Sequence, residues 1–255
     1  MRSLLQTKHC ATGTESAAGE SPLGGWRPLL IGLSCALLAA SPLSANGNPP
    51  NQPLTAADIV RQLDVHNQER AQRLKGYRTV RGYHLVYTGF PHRLEASMEV
   101  EDIYQAPSTR TFHVLSQSGS KLLLDRVLKR LLATEEEAAR NPQQTALTPD
   151  IYNFTLLGSE TIAGHDEYVL QVEPRVVQKL LYKGRIWVDP RDFAVQQIEA
   201  EPAQSPSLWI VSTEIHHVYV EKDGFRFPER DDSISKLRFG GRAVLTIDYG
   251  DYQLQ

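Results

Sequence analysis

Three groups of ionisable residues have types that could bind a metal or transfer protons. The most suggestive is the pair His216 and His217, because imidazole is a common metal ligand. The pair falls in a segment with strand-like alternation, where neighbouring side chains point to opposite faces. Two rings that point apart cannot easily chelate one ion, so we predict no metal site there.

The other two groups are explained by local structure. His165 and Asp166 follow Ala163-Gly164, which predicts a solvated turn with an aspartate-capped bend. The charged residues 229–232 follow Pro228 and predict a loop that starts a strand. The acidic side chains of this loop could also pair with basic residues of a partner.

Motifs for catalysis and nucleotide binding are missing. The sequence contains no Gly-x-Ser-x-Gly, HExxH, P-loop or Rossmann glycine pattern. Both cysteines, Cys10 and Cys35, precede residue 46, so a chain without that segment has neither a disulfide nor a cysteine metal site. We expect no enzyme activity, no cofactor and no metal. A hydrolase stays an open alternative, because seven histidines follow residue 46.

The composition is that of an ordinary folded chain. Of 255 residues, 41% are hydrophobic and 22% are charged, which excludes collagen-like and wholly disordered classes. The 27 Lys and Arg residues face 30 Asp and Glu residues, for a net charge of −3. A nucleic-acid-binding protein needs a basic surface to neutralise phosphates, so we expect no nucleic-acid partner.

The N-terminal segment has the pattern of a secretory signal peptide. Arg27-Pro28 precedes the largely apolar run 29–40, and small residues lead to Ala45. The run is shorter than the roughly 20 residues that a membrane-spanning helix needs, so we predict cleavage after Ala40 or Ala45. Residues 46–53 are then a flexible spacer. Lipid attachment at Cys35 stays open, although residues 32–34 make a poor lipobox, and so do the true start and cleavage site.

The remaining chain predicts two helices and about ten strands. Thr55 and Asp58 form a capping-box variant that starts a helix over 56–74. A second helix over 119–140 is apolar on more than one side, so we expect it to be largely covered. Alternation with a period of two, interrupted by Asp102 in the second segment, predicts strands at 77–88, 93–104, 108–117, 151–158, 166–173, 181–189, 193–200, 207–221, 233–240 and 242–253.

These elements favour one antiparallel domain over residues 54–255. Strands and helices do not alternate, which argues against a parallel doubly wound sheet. Two helices cannot cover ten flat strands, but a sheet that curls around them can enclose them. We therefore predict an α+β fold that is mostly antiparallel β. It is a curved, unclosed β-barrel (half-barrel) of about ten strands, with an N-terminal helix and an inserted helix covering its concave face.

The order of these elements and two segments, 182–193 and 223–228, resemble a known family. They are similar to the periplasmic lipoprotein-carrier family, LolA and LolB, and to related outer-membrane lipoprotein-sorting proteins. The resemblance implies a periplasmic carrier that shields acyl chains of a lipid or lipoprotein in an apolar cavity during transport toward the outer membrane. An envelope sensor or interaction module that docks on a membrane-protein partner is the alternative. Ligand, release partner and oligomeric state are not specified, although we expect a monomer.

Strand alternation suggests which side chains line such a cavity. The alternative is that the same residues form an ordinary filled core. Three basic residues, Arg81, Arg93 and Lys183, could ring the cavity mouth and bind a phosphate or carboxylate. The predicted lining consists of Tyr83, Leu85, Tyr87, Leu94, Met98, Val100, Tyr168, Leu170, Val172, Trp209, Val211 and Ile215.

Overall fold

The computed structural model of the chain describes residues 53–255. The predicted signal peptide over 1–45, Cys35 within it, and the predicted spacer up to residue 52 lie outside the described residues.

Helix α1 spans Ala56–Arg73, as the sequence predicted. Thr55 caps it through a reciprocal pair of bonds: its hydroxyl accepts from the Asp58 N–H over 3.2 Å, and the Asp58 carboxylate accepts from the Thr55 N–H over 3.1 Å. These bonds satisfy two of the free donors of the first turn. The helix buries one stripe, formed by Ile59, Val60 and Leu63.

A single antiparallel sheet makes up most of the remaining chain. Its strands are β1 (Gly76–Thr88), β2 (Leu94–Gln105), β3 (Thr109–Gly119), β4 (Tyr152–Ile162), β5 (His165–Pro174), β6 (Tyr182–Val188), β7 (Val195–Pro202), β8 (Ile210–Lys222), β9 (Phe225–Leu237), β10 (Arg242–Tyr249) and β11 (Gln253–Leu254). The order is β3-β2-β1-β10-β9-β8-β7-β6-β5-β4, with β11 paired to β1. Strands β3 and β4 are both edges, so the predicted unclosed barrel is confirmed.

The largest error of the sequence prediction concerns β9. The strand begins at Phe225, eight residues before the predicted strand 233–240. Residues 229–232, predicted to form a charged loop, therefore lie within β9. These charged residues fit within a strand because neighbouring side chains point to opposite faces and form hydrogen bonds there. Arg230 bonds to Asp232 and Asp248, whereas Asp231 bonds to His217 of β8. The predicted last strand is also interrupted, because β10 ends at Tyr249.

The inserted helix spans Lys121–Leu123, a π-helical turn at Leu124–Leu128, and Lys129–Arg140. Its position confirms the predicted helix over 119–140. Its surface is less fully buried by the rest of the protein than its apolar sides predicted. Leu122 is 58% exposed and Val127 is 38% exposed. Both belong to the second apolar side of this helix, which does not face the sheet core.

The two helices form separate cores on the concave face. The α1 core joins the buried stripe of α1 to side chains of β4–β7, including Tyr152, Leu170 and Ile186. The inserted-helix core joins Leu123, Leu124, Leu128 and Leu132 to side chains of β1, β2 and β10. No β9 residue belongs to either core in the described part of the chain. The middle of the concave face is therefore the place where a ligand could enter.

Candidate functional site

The middle strands carry polar side chains on their concave face. The hydroxyls of Thr213 on β8 and Ser235 on β9 lie 2.8 Å apart. Farther along the same strands, His217 bonds to Asp231 through Nδ1. Satisfied polar pairs keep these positions from joining either apolar core. The floor between the two helices is therefore polar and hydrogen-bonded.

A large cavity lies over one end of this floor. This outer cavity has a volume of about 1320 Å³ and lies between the inserted helix and the connections 175–181 and 203–209. Typical small-molecule sites measure roughly 300–1,000 Å³ and are mostly apolar. Its apolar wall consists of Val127, Leu131, Val177, Leu180, Trp209, Ile210 and Leu237, with Pro206 at its edge.

A smaller cavity adjoins it between α1 and the sheet. This inner cavity measures about 470 Å³ and shares Thr145 and Leu180 with the outer one. Burial raises the pKa of Tyr182 and of Tyr219 above the ordinary range, so both phenols stay neutral. Its remaining apolar wall consists of Ala71, Leu74, Leu147, Ala194, Val195, Ile198, Phe225 and Phe227. We call the two cavities together the groove.

Basic side chains outnumber acidic ones at the outer cavity. Arg126, Arg130 and Lys179 line it, and Glu137 is its acidic residue. None of the three basic groups forms an ion pair with another residue of the described chain. An apolar cavity with uncompensated cations at its wall suits a ligand that combines hydrocarbon with negative charge.

The three basic residues predicted to ring the mouth do not line the outer cavity. Arg81 is 1% exposed and is covered by the inserted helix. Arg93 pairs with Glu95, and Lys183 pairs with Glu201, in half-exposed contacts. None of the three lines the outer cavity, and Arg81 lies under the inserted helix, away from its mouth. Alternation along a strand does not show which end of the strand meets the cavity.

A buried ionic cluster attaches the inserted helix to the sheet. Arg81 Nη2 lies 2.6 Å from Glu135 Oε2, and Arg81 Nη1 lies 3.5 Å from Asp102 Oδ2. Burial opposes the charge of Arg81, but the Glu135 carboxylate and other neighbours raise its pKa above the ordinary range. Arg110 holds the other side of Asp102 through two bonds of 2.9 and 2.6 Å. In the sequence, Asp102 was visible only as an interruption of an apolar row.

The twelve predicted lining residues divide into two sets. Nine contribute to the filled cores: Tyr83, Leu85, Tyr87, Leu94, Met98 and Val100 under the inserted helix, and Tyr168, Leu170 and Val172 under α1. Ile215 is half-buried beside the polar floor, and Val211 is 63% exposed. Trp209 lies on the wall of the outer cavity. The residues that sequence reasoning missed include Val127 and Leu131.

The histidines hold positions that local structure explains. His217 faces Asp231, and its neighbour His216 lies on the opposite face of β8, as the alternation predicted. His165 and Asp166 are the first residues of β5, and the Asp166 carboxylate accepts from the Thr161 hydroxyl over 2.6 Å. Within residues 53–255, no three His, Cys, Asp or Glu side chains are grouped to hold a metal ion. No helix in this range has the length and apolar character to cross a membrane.

Comparison with protein-family models gave no match, and comparison with curated proteins gave none either. Solved structures do match. A LolA superfamily protein from Nitrosomonas europaea is 16% identical, with 80% of this chain and 94% of that chain covered and a TM-score of 0.37. A DUF1329 family protein from Desulfovibrio piger is 10% identical, with 80% and 94% covered and a TM-score of 0.41.

A third match is a domain from Vibrio parahaemolyticus described as an outer membrane lipoprotein-sorting protein. It is 11% identical, covers 77% of this chain and 93% of its own, and has a TM-score of 0.39. At these identities the matches concern the fold and not a ligand. The chain is similar to these three proteins, with TM-scores between 0.37 and 0.41.

Proposed function

We propose that this protein is a periplasmic carrier that shields acyl chains of a lipid or lipoprotein in the groove during transport toward the outer membrane. The observation that carries the proposal is the apolar outer cavity of about 1320 Å³ between the inserted helix and the sheet. The predicted signal peptide supports a location outside the inner membrane.

Burial of hydrocarbon accounts for affinity without a reactive group. Each acyl methylene transferred from water to an apolar wall contributes about 0.8 kcal/mol. The inner cavity extends the apolar path beyond Leu180, whose side chain borders both compartments. We therefore propose binding and release, with no chemical step.

Lipid extraction combined with native mass spectrometry tests this proposal. The full chain is expressed in a bacterial host, and the protein is recovered from its periplasm. We expect bound phospholipid or acylated peptide, and we expect its loss in a Leu180→Glu variant. A charge at this half-buried position would require costly desolvation whenever hydrocarbon fills the groove.

The matched control is Leu157→Glu, at a side chain of β4 that is 55% exposed and lines neither cavity. This variant should keep the wild-type lipid content. Circular dichroism establishes that both variants are folded. An apo mass for the wild type, persisting after incubation with phospholipid and a lipopeptide, would refute the carrier proposal.

The second candidate is an interaction module that docks on a membrane protein. It is favoured by the unpaired edge of β3, where Val114 is 45% exposed and Leu115 is 55% exposed. An exposed edge of this length can add a strand from another chain. A stable complex with a membrane protein that is lost in Leu115→Lys, together with an empty groove, would favour this candidate.

A further inference from the structure

The most exposed large apolar side chains of the described chain are gathered at one end of the sheet. Seven of them are more than 60% exposed: Phe90 88%, Val176 62%, Val177 67%, Leu208 88%, Trp209 61%, Val211 63% and Phe239 77%. Six lie in the connections 89–93, 175–181, 203–209 and 238–241, and Val211 is the second residue of β8.

Strand pairing places these four connections at the same end. Thr88 of β1 pairs with Arg242 of β10, so the connections 89–93 and 238–241 are neighbours. Ile210 of β8 pairs with Leu237 of β9, which brings 203–209 beside them. Tyr182 of β6 pairs with Pro202 of β7, which adds 175–181. We call this end of the sheet the apolar rim.

The apolar rim is also basic. Its four connections contain Arg93, Arg175, Lys179 and Arg238 and no acidic residue. Two qualifying neighbours lie close by: Glu95 pairs with Arg93 over 2.7 Å, and Asp150 lies in the segment that leads into β4. A fifth connection at this end, 120–151, carries the inserted helix and contains five basic and five acidic residues, so the four other connections give this end its excess of positive charge.

The opposite end of the sheet has the reverse character. Its strand-to-strand connections 106–108, 163–164, 189–194, 223–224 and 250–252 contain one basic residue, Arg191, and four acidic residues, Asp189, Asp192, Asp223 and Asp251. The connection from α1 to β1 at this end adds one more basic residue, Lys75. No side chain of these connections is among the exposed large hydrophobic residues. The two ends of one sheet therefore differ in both hydropathy and charge.

We propose that the apolar rim is a docking surface for an anionic lipid bilayer. Large apolar side chains at loop tips can enter the boundary between headgroups and acyl chains, and nearby Lys and Arg attract lipid phosphates. Trp209 and Phe239 lie with ring centroids 5.4 Å apart, and aromatic rings favour the interfacial depth of a membrane. Exposed apolar patches of this kind mark an interaction surface, and the charge pattern selects the bilayer as the partner.

The rim is continuous with the groove, because Val177, Lys179 and Trp209 also line the outer cavity. Docking would therefore bring the cavity mouth to the membrane surface. The docking proposal does not require that the groove hold a lipid, since the apolar tips and the basic residues act on the bilayer directly.

Vesicle flotation with the protein recovered from the periplasm tests the proposal. We expect flotation with vesicles that contain phosphatidylglycerol, weaker flotation with pure phosphatidylcholine, and a decrease as salt screens the charges. The triple variant Phe90→Ser, Leu208→Ser and Phe239→Ser should bind at least about tenfold more weakly, because it loses three inserting side chains. The pair Arg175→Gln and Arg238→Gln should reduce only the preference for anionic vesicles.

The matched control changes exposed apolar residues outside the rim: Val65→Ser, Val80→Ser and Leu157→Ser, whose side chains are 44%, 42% and 55% exposed. This control should float like the wild type. Flotation of the rim variant at the wild-type level, or no flotation of the wild type, would overturn the proposal. The proposal would also be overturned if the wild-type protein were a dimer and only the rim variant were a monomer, because the rim would then bind a second copy of the protein.

Native mass spectrometry of the same samples separates the two proposals. A wild-type protein that floats but carries no lipid, even after incubation with lipid, supports the rim and refutes the carrier function. A protein that carries lipid but does not float supports the carrier function and refutes the rim proposal.

Discussion

Arg81 Nη2 lies 2.6 Å from Glu135 Oε2, and this ion pair joins the centre of β1 to the last turns of the inserted helix. The Tyr83 hydroxyl donates to the same carboxylate over 3.3 Å. Arg81 is 1% exposed, and its Nε and Nη1 have no hydrogen-bond partner. Glu135 is therefore the nearer of the two carboxylates that neutralise this buried cation, the other being Asp102.

Loss of the Glu135 charge should destabilise the fold. In Glu135→Gln the buried guanidinium loses its nearest carboxylate, and we expect the free energy of unfolding to fall by about 2–4 kcal/mol. Urea unfolding followed by circular dichroism measures the change. The control is Glu136→Gln, whose partner Arg140 lies 3.8 Å away on an exposed surface, and which should change stability by less than about 0.5 kcal/mol. Equal effects of the two variants would contradict this role for the ion pair.

Glu167 should make the protein less stable as the pH rises toward neutrality. It is 3% exposed, and its Oε2 has no hydrogen-bond partner. Burial, together with the charge of Asp189, raises its pKa from 4.5 to about 7. Between these two values the folded state binds more protons than the unfolded state, so the free energy of unfolding falls with increasing pH.

Glu167→Gln removes this dependence. We expect the variant to be about 2 kcal/mol more stable than the wild type at pH 8, where the wild-type carboxyl is charged, and nearly equal to it at pH 4. Urea unfolding at both pH values measures the difference. The exposed Glu173, changed to Gln, is the control and should show no such gain. A Glu167→Gln variant that is less stable than the wild type at pH 8 would show that the charged carboxylate is stabilising.

Leu85 and Val211 were both predicted to line a cavity, but they should respond differently to truncation. Leu85 is 3% exposed within the inserted-helix core, whereas Val211 is 63% exposed. Leu85→Ala should lower the free energy of unfolding by about 2–5 kcal/mol through lost burial and the cavity left behind. Val211→Ala should change it by less than about 0.5 kcal/mol. Urea unfolding of both variants checks this contrast, and similar losses would place Leu85 outside a packed core.

Trp209 should report occupation of the outer cavity. It lies on the cavity wall and is 61% exposed, whereas Trp187 is 2% exposed. A long-chain fatty acid in the cavity would displace water from the indole, so we expect a blue shift of the fluorescence emission. Trp187→Phe should keep the shift, and Trp209→Phe should lose it. A shift that survives in Trp209→Phe would place the ligand elsewhere.

Local sequence signals were enough to predict the elements of the fold. The capping box at Thr55, the change from a helical period to alternation after α1, and the turn residues between strands are local signals, because each depends on a few neighbouring residues. They were sufficient for both helices, for about ten antiparallel strands and for an unclosed sheet. The local signal failed at residues 229–232, where charges that favour a loop are paired across strands.

The location of the groove, by contrast, followed from the packing of distant segments. Alternation shows that Leu85, Val172 and Ile215 point to the concave face, but it does not show which parts of that face a helix covers. The two helices fill the outer parts and leave the polar floor of His217 and Asp231 between them. The groove wall comes from the second side of the inserted helix and from strand connections, which are far apart in sequence. Their meeting depends on packing between distant segments, and no local pattern encodes that packing.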